Sequence, residues 1–175
     1  MSSDLPRLAS LLKSRNTVDG KVASLIGRAT NLHDVSMYIA SVIFGIQLAE
    51  EETFDDSDGW FTSGALSGRS VAIQWYPKRE GSLRMKTDTA LDYYLVLSGP
   101  HVAGPSIFNP WVIEAAFLFD SRQLLTALRE RGIQIGNRTS IIRELWDRAE
   151  IYPKPTNHTL VLSNEQRALL ALFQP

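Results

Sequence analysis

The residues best suited by type and spacing to carry chemistry lie between positions 50 and 86. Carboxylates are concentrated at the start of this stretch, at Glu50, Glu51, Glu52, Asp55, Asp56 and Asp58. Neighbouring carboxylates bind divalent cations such as Mg²⁺, and a bound Mg²⁺ can activate water and neutralise a scissile phosphate. Asp58 and Asp56 are therefore candidate metal ligands for a reaction on a phosphate backbone. The same charges also suit a solvated acidic loop without a chemical role, and both interpretations stay open.

A predicted β-hairpin places two further positions beside Asp58. Residues 69–76 alternate in type, which predicts a half-buried strand with Ser70, Ala72 and Gln74 on one face. A short strand predicted at 60–62 precedes it, with Gly and Ser residues at the turn. We therefore expect Asp58, Ala72 and Gln74 to meet at one cleft. Asp58 and Gln74 are the candidate catalytic residues.

Positively charged residues flank the acidic stretch. The net charge is only −1, and the six carboxylates of the acidic stretch contribute −6, so the rest of the chain has a net charge of +5. Lys78 and Arg79 follow the predicted strand. Arg138 and Ser140 lie where a helix is predicted to begin, and helix N-termini attract anions. These four residues are the candidate contacts to nucleic acid.

Hydrophobic periodicity along the chain predicts an α+β, or mixed α/β, fold. Two short helices are predicted near 5–13 and 17–26, and a third runs from an Asn31 cap to Gly45. The remaining predicted elements are strands at 60–62, 69–76, 93–97, 111–119, 133–135 and 158–162, and helices capped by Ser121, Thr139 and Ser163. We expect a single domain over 1–175, in which N-terminal helices (1–30) pack on an α/β core (31–175) with a central mixed sheet flanked by helices.

Composition excludes several classes of protein. The 175 residues contain no cysteine, which rules out disulfides, a cysteine nucleophile and thiolate-bound metal centres. No apolar run reaches the length of a membrane helix and no secretory signal is visible, so we predict a cytoplasmic protein without a membrane partner. The P-loop, dinucleotide-binding, EF-hand and Gly-x-Ser-x-Gly motifs are all missing.

Three stretches resemble a family of uncharacterised bacterial proteins of similar length. They begin with Asp-Gly-x-Phe-Thr-Ser-Gly at Asp58 and continue with Tyr-Tyr-Leu-Val-Leu-Ser-Gly-Pro (93–100) and Leu-Trp-Asp-x-Ala-Glu-Ile-Tyr-Pro (145–153). Asp58 and the strand after it also resemble the restriction-endonuclease-like PD-(D/E)xK superfamily. That resemblance implies a restriction-endonuclease-like core with Mg²⁺ held by carboxylates on the hairpin.

The sequence departs from the superfamily pattern at two positions. Ala72 stands where the pattern has Asp or Glu, and Gln74 stands where it has Lys. On the preceding helix, Asp34 is the residue that could serve as the additional acidic ligand. These departures predict a degraded metal site rather than a working one.

Two functional interpretations follow and both stay open at this point. The first is a nucleic-acid-binding, restriction-endonuclease-like domain with a degraded metal site; if it were catalytic, it would be a divalent-metal-dependent nuclease using Mg²⁺. The second is a non-catalytic protein-interaction module or homodimer. Salt-dependent retention on nucleic acid would favour the first, and an exposed apolar surface would favour the second.

Overall fold

A computed structural model describes residues 4–50, 57–79, 81–87, 90–101 and 110–175. The helices in these ranges are α1 (Asp4–Ile26), α2 (Leu32–Phe44), α3 (Ser121–Glu130), α4 (Arg143–Ala149) and α5 (Asn164–Ala171). The strands are β1 (Ile46–Leu48), β2 (Gly59–Phe61), β3 (Ser70–Tyr76), β4 (Ser82–Leu83), β5 (Tyr93–Ser98), β6 (Ala115–Asp120), β7 (Thr139–Ser140) and β8 (Glu150–Tyr152).

Six of the strands form one mixed sheet in the order β1-β2-β3-β5-β6-β8. β3 and β5 are parallel, with Val71 opposite Tyr93, and the other neighbouring pairs are antiparallel. The predicted hairpin is present, since β2 pairs with β3 through Gly59 and Trp60. β4 and β7 form a separate two-stranded ribbon.

Both faces of the sheet are covered by helices, so the predicted α+β fold with a central mixed sheet is confirmed. One face packs against α2 and α5, and its buried residues include Ile43, Ile73 and Leu170. The opposite face packs against α3 and α4, where Leu128 and Trp146 are buried. Alternate residues of β3 therefore enter two different apolar layers, as the period of two predicted.

Local capping explains why α2 lies where the sequence predicts it. The side chain of Asn31 accepts a hydrogen bond from the backbone N–H of Asp34 at 2.9 Å, which satisfies one free donor at the helix start. Gly45 ends the helix at a φ of 64°, a left-handed conformation that glycine adopts without a steric penalty. The same logic holds for α5, where Ser163 and Gln166 form a capping box.

The N-terminal region differs from the sequence prediction. Instead of two short helices there is one continuous helix, α1, which runs through Gly20. A single glycine costs a helix only about 1 kcal/mol, which a helix of this length can absorb. Rather than packing along the core, α1 has no buried residue, and residues 4 to 18 are all exposed.

The second half of the chain contains further corrections, and the strand expected at 111–119 begins only at Ala115. Residues 133–135 and 158–162 are not strands, and the last strand of the sheet is β8 instead. Thr139 and Ser140 form β7 rather than capping a helix, because α4 begins only at Arg143. Asp120, not Ser121, caps α3 by accepting a hydrogen bond from the N–H of Gln123.

Within the described ranges, none of the helices combines the length and the apolar character that crossing a membrane requires.

Candidate functional site

A cleft of about 680 Å³ lies beside β3, next to the residues that precede β2. The N-terminal turns of α2 form one wall, β3 forms the floor, and the segment that follows β4 forms the opposite wall. Asp58, Ala72 and Gln74 all line this cleft, so the hairpin brings together the three positions singled out from the sequence.

Asp58 reaches across the hairpin to the backbone of β3. Its N–H donates to the carbonyl oxygen of Val71 at 2.9 Å, and its Oδ2 accepts from the N–H of Ile73 at 2.6 Å. The carboxylate thus accepts the hydrogen bond of the Ile73 N–H, a backbone donor of β3 that has no partner in β2 because β2 begins only at Gly59. Its other oxygen, Oδ1, lies 3.5 Å from Nε2 of His33 on α2.

The protonation of Asp58 is altered by this position. Burial raises the pKa of the Asp58 carboxyl above its ordinary value, because a charged carboxylate loses hydration inside the protein. The hydrogen bond from Ile73 and the positive charges of His33 and Arg84 lower the same pKa, but by less. Desolvation is therefore the dominant effect.

Gln74 is held in a dense set of hydrogen bonds at the centre of the cleft. Its Nε2 donates to the carbonyl oxygen of Arg84 at 2.7 Å, and its Oε1 accepts from the N–H of Arg84 at 3.2 Å. The Tyr76 hydroxyl also donates to Oε1, at 2.5 Å. Both ends of the amide are therefore engaged in positioning the segment around Arg84, and Gln74 acts here as a positioning residue.

Positive charge enters the cleft from two sides. Arg84 and Lys86 come from the segment after β4, and Arg28 comes from the loop between α1 and α2. Arg28 lies 3.7 Å from the carboxylate of Asp34, which also accepts a hydrogen bond from the Asn31 side chain. Arg84 and Lys86 are both exposed.

The four residues predicted to contact nucleic acid are not part of this cleft's lining. The guanidinium of Arg79 lies 5.1 Å from the centre of the Phe117 ring, on the side of the sheet covered by α3 and α4. Lys78 is half-buried beside it. Arg138 and Ser140 are exposed, but the helix N-terminus expected there is absent because Ser140 pairs with Ser82 in the ribbon.

Two residues of the cleft were missed by reasoning from the sequence. His33 is not among the candidate residues derived from the sequence, yet its Nε2 lies 3.5 Å from Oδ1 of Asp58. Arg28 sits in a loop without any motif. A signal did exist for His33: the Asn31 cap places it in the first turn of α2, next to Asp34, the acidic residue already considered for the site.

The described side chains of the cleft do not form a suitable set of oxygen ligands for Mg²⁺. Ala72 supplies no oxygen ligand, the Gln74 amide oxygen is already occupied by Arg84 and Tyr76, and Oδ2 of Asp58 already accepts from the N–H of Ile73. Over the described ranges, no three histidine, aspartate or glutamate side chains come close enough to hold a metal ion. Asp56, the second predicted ligand, lies outside the described residues.

No family model and no curated protein matches this chain.

Proposed function

We propose that the cleft binds the phosphate backbone of a nucleic acid without cleaving it. The observation that carries this proposal is the fixed position of Arg84, whose backbone is held from both sides by the Gln74 amide in the cleft that also contains Asp58. A cation whose backbone is already ordered loses less conformational freedom when it contacts a phosphate. Lys86 adds positive charge along the same cleft, and Arg28 lies beside the carboxylate of Asp34 there.

The acidic groups of the cleft oppose an anionic ligand less than their number suggests. Asp34 is paired with Arg28 and hydrogen-bonded to Asn31, so its charge is partly compensated. Burial raises the pKa of Asp58, and its Oδ2 accepts a hydrogen bond from the backbone N–H of Ile73, which offsets part of its negative charge.

Aromatic side chains supply a second type of contact. Trp75 and Tyr76 line the cleft as half-buried residues, and one face of the Trp75 ring is covered by the exposed Trp111, with ring centres 4.2 Å apart. Aromatic rings beside cations are typical of single-strand binding grooves, because bases stack on the rings while cations contact the phosphates. We therefore expect single-stranded nucleic acid to bind more tightly than a duplex.

Fluorescence anisotropy with labelled single-stranded and duplex oligonucleotides tests the proposal. We expect binding at about 50 mM salt that weakens steeply as salt rises, since released counterions drive phosphate binding. The double variant Arg84→Ala with Lys86→Ala should bind single strands more weakly and reduce the slope of log K against log salt by about 1.4, since each lost phosphate contact removes about 0.7.

The matched control removes the same charge far from the cleft. Arg129 on α3 and Arg143 on α4 are exposed, so Arg129→Ala with Arg143→Ala changes the net charge equally. The control should retain nearly wild-type affinity. An absence of binding at low salt, or an equal loss in both double variants, would contradict the proposal.

The absence of cleavage is tested in the same samples. Addition of about 5 mM Mg²⁺ or Mn²⁺ should leave the oligonucleotides intact and should not raise the melting temperature of the protein, since a ligand stabilises a fold only by binding its native state. Cleavage that required the metal and was abolished by Asp58→Ala would show instead that the site is an active nuclease.

A further inference from the structure

The surface of α1 is unusual for a helix of a globular protein. None of its 23 residues is buried, and its exposed apolar side chains include Leu5, which is 70% exposed, Leu8 and Leu12. A helix in a globular protein gains most of its stability by packing an apolar face against other elements. In the described part of the chain no residue of this face is buried, although Asp19, Val22 and Ile26 near its C-terminal end are half-buried, so the face has the character of a contact surface.

The residues along one line of α1 have a regular order. Positions separated alternately by three and four residues lie on a single stripe of a helix. On α1 this stripe, which we call the α1 seam, consists of Leu5, Leu8, Leu12, Arg15, Asp19, Val22 and Ile26. Leu11, Val18 and Leu25 follow one another at intervals of seven along its side and widen the apolar strip.

The charged residues of the α1 seam lie at its centre, with apolar residues on both sides. Arg15 and Asp19 form an exposed ion pair at 3.4 Å, one turn apart. A helix that lies on a membrane surface keeps its charges on the polar face rather than in the apolar one. From Leu8 to Ile26 the α1 seam instead has a two-fold pattern, because inverting the helix about residue 17 exchanges Leu8 with Ile26, Leu12 with Val22 and Arg15 with Asp19.

We propose that α1 pairs antiparallel with α1 of a second copy of this chain, around a two-fold axis near the level of residue 17. This register places Leu8 against Ile26 of the partner subunit, Leu12 against the partner's Val22, and Arg15 against the partner's Asp19. A contact of this kind is self-complementary, as a two-fold dimer requires. A parallel pair would instead bring like charges together at the centre of the α1 seam, which is unfavourable. The dimer does not depend on the nucleic-acid cleft.

Disulfide trapping tests the direction of pairing directly, because the chain has no cysteine of its own. Leu12→Cys and Val22→Cys are prepared as separate proteins and oxidised both alone and as an equal mixture. Antiparallel pairing predicts a cross-linked dimer chiefly in the mixture. Efficient cross-linking of each variant with itself would show parallel pairing and overturn the proposal, and so would a lack of cross-linking in all three samples.

Sedimentation equilibrium of the full chain provides the second test. The wild type should dimerise with increasing concentration, and Arg15→Asp or Asp19→Arg alone should raise the dissociation constant about tenfold or more, since each places like charges together. The combined swap, Arg15→Asp with Asp19→Arg, should restore dimerisation. Circular dichroism checks that α1 remains helical in each variant. A wild type that stays monomeric at about 100 μM, or a swap that fails to restore the dimer while helix content is kept, would overturn the proposal.

Discussion

The side-chain amide of Gln74 forms hydrogen bonds with both the backbone N–H and the backbone carbonyl oxygen of Arg84. Nε2 of Gln74 donates to the Arg84 carbonyl oxygen at 2.7 Å, while Oε1 accepts from the Arg84 N–H at 3.2 Å. Gln74 belongs to β3 of the main sheet, and Arg84 directly follows β4 of the small ribbon. This one side chain therefore connects the two sheets across the cleft.

Replacement of Gln74 tests that connection. Gln74→Glu keeps the size of the side chain but turns the Nε2 donor into a carboxylate oxygen facing the Arg84 carbonyl. At pH 7 we expect a loss of about 1–3 kcal/mol in the free energy of unfolding, because the hydrogen bond is replaced by a repulsive contact. The loss should be smaller near pH 4, where a protonated carboxyl can donate again. Urea denaturation at both pH values measures it.

A matched substitution at an exposed glutamine separates this effect from the added charge. Gln134 is exposed and lies outside regular secondary structure. Gln134→Glu should change the free energy of unfolding by less than about 0.5 kcal/mol. Equal stabilities of the two variants at pH 7 would show that the contact between Gln74 and Arg84 contributes nothing.

The buried carboxyl of Asp58 predicts a specific pH dependence of stability. Its pKa is raised above 3.8 by desolvation, so between 3.8 and the raised value the folded state binds more protons than the unfolded state. The contribution of this group to stability is fully present below that window and is lost as the pH rises through it. The positive charges of His33 and Arg84 lower the pKa of Asp58, but desolvation raises it by more.

Asp58→Asn removes the titration while keeping an oxygen that can accept from Ile73. We expect the variant to be at least as stable as the wild type at pH 7, and its relative stability to decrease as the pH falls toward 3.8. Thermal melts from pH 3.5 to 7.5 give the difference directly. Glu130→Gln, at an exposed position of α3, serves as the control. A wild type that gains stability over Asp58→Asn as the pH rises would contradict the assigned shift.

Two glycines should respond in opposite ways to alanine. A Cβ on Gly99 would lie 1.9 Å from the carbonyl oxygen of Pro77, a backbone atom that cannot move without disturbing the end of β3. Gly99→Ala should therefore destabilise the protein by about 3 kcal/mol or more. A Cβ on Gly20 meets no atom within 4 Å.

Gly20→Ala should stabilise α1 by about 1 kcal/mol, because alanine has a higher helix propensity than glycine. Hydrogen exchange of the α1 amides measures this local gain, and urea denaturation measures the loss in Gly99→Ala. If Gly99→Ala folded as stably as the wild type, the close approach of residue 99 to Pro77 would not be correct.

The hydroxyl of Thr139 makes a testable contribution to the ribbon. Thr139 is fully buried, and its Oγ1 both accepts from the N–H of Gly136 and donates to the carbonyl oxygen of Gly136, each at 2.9 Å. Thr139→Val keeps the shape and removes both hydrogen bonds, so we expect a loss of about 1–2 kcal/mol.

The adjacent position provides the control for this prediction. Ser140 is exposed, and Ser140→Ala should change the free energy of unfolding by less than about 0.5 kcal/mol. Differential scanning calorimetry of the two single variants makes the comparison. A larger effect at Ser140 than at Thr139 would contradict the structural role assigned to the Thr139 hydroxyl.

The parts of the fold that the sequence predicts well depend on local interactions. Asn31 and Gly45 delimit α2 because a helix start needs an acceptor for its free N–H groups and its end needs a left-handed residue. The alternation from Ser70 to Tyr76 predicts β3 because side chains of a strand point to opposite faces. Each of these signals is contained within a few neighbouring residues.

The shortest elements could not be predicted in this way. β7 consists of Thr139 and Ser140, whose hydroxyls predict a helix cap, and it becomes a strand because β4 lies beside it. β8 likewise depends on its pairing with β6. Residues 133–135 and 158–162 have apolar side chains suited to strands, but no strand partner is available to them in the described structure.

By itself, the sequence determined the class of fold, the hairpin that carries Asp58, and the convergence of Asp58 with Gln74 on one cleft. Only the tertiary structure decided what these side chains do there. His33 stands 25 positions before Asp58 in the chain, yet the two side chains lie 3.5 Å apart. Burial and hydrogen bonding depend on atoms that folding brings together from distant positions, so the raised pKa of Asp58 and the contact of Gln74 with Arg84 have no local sequence signal.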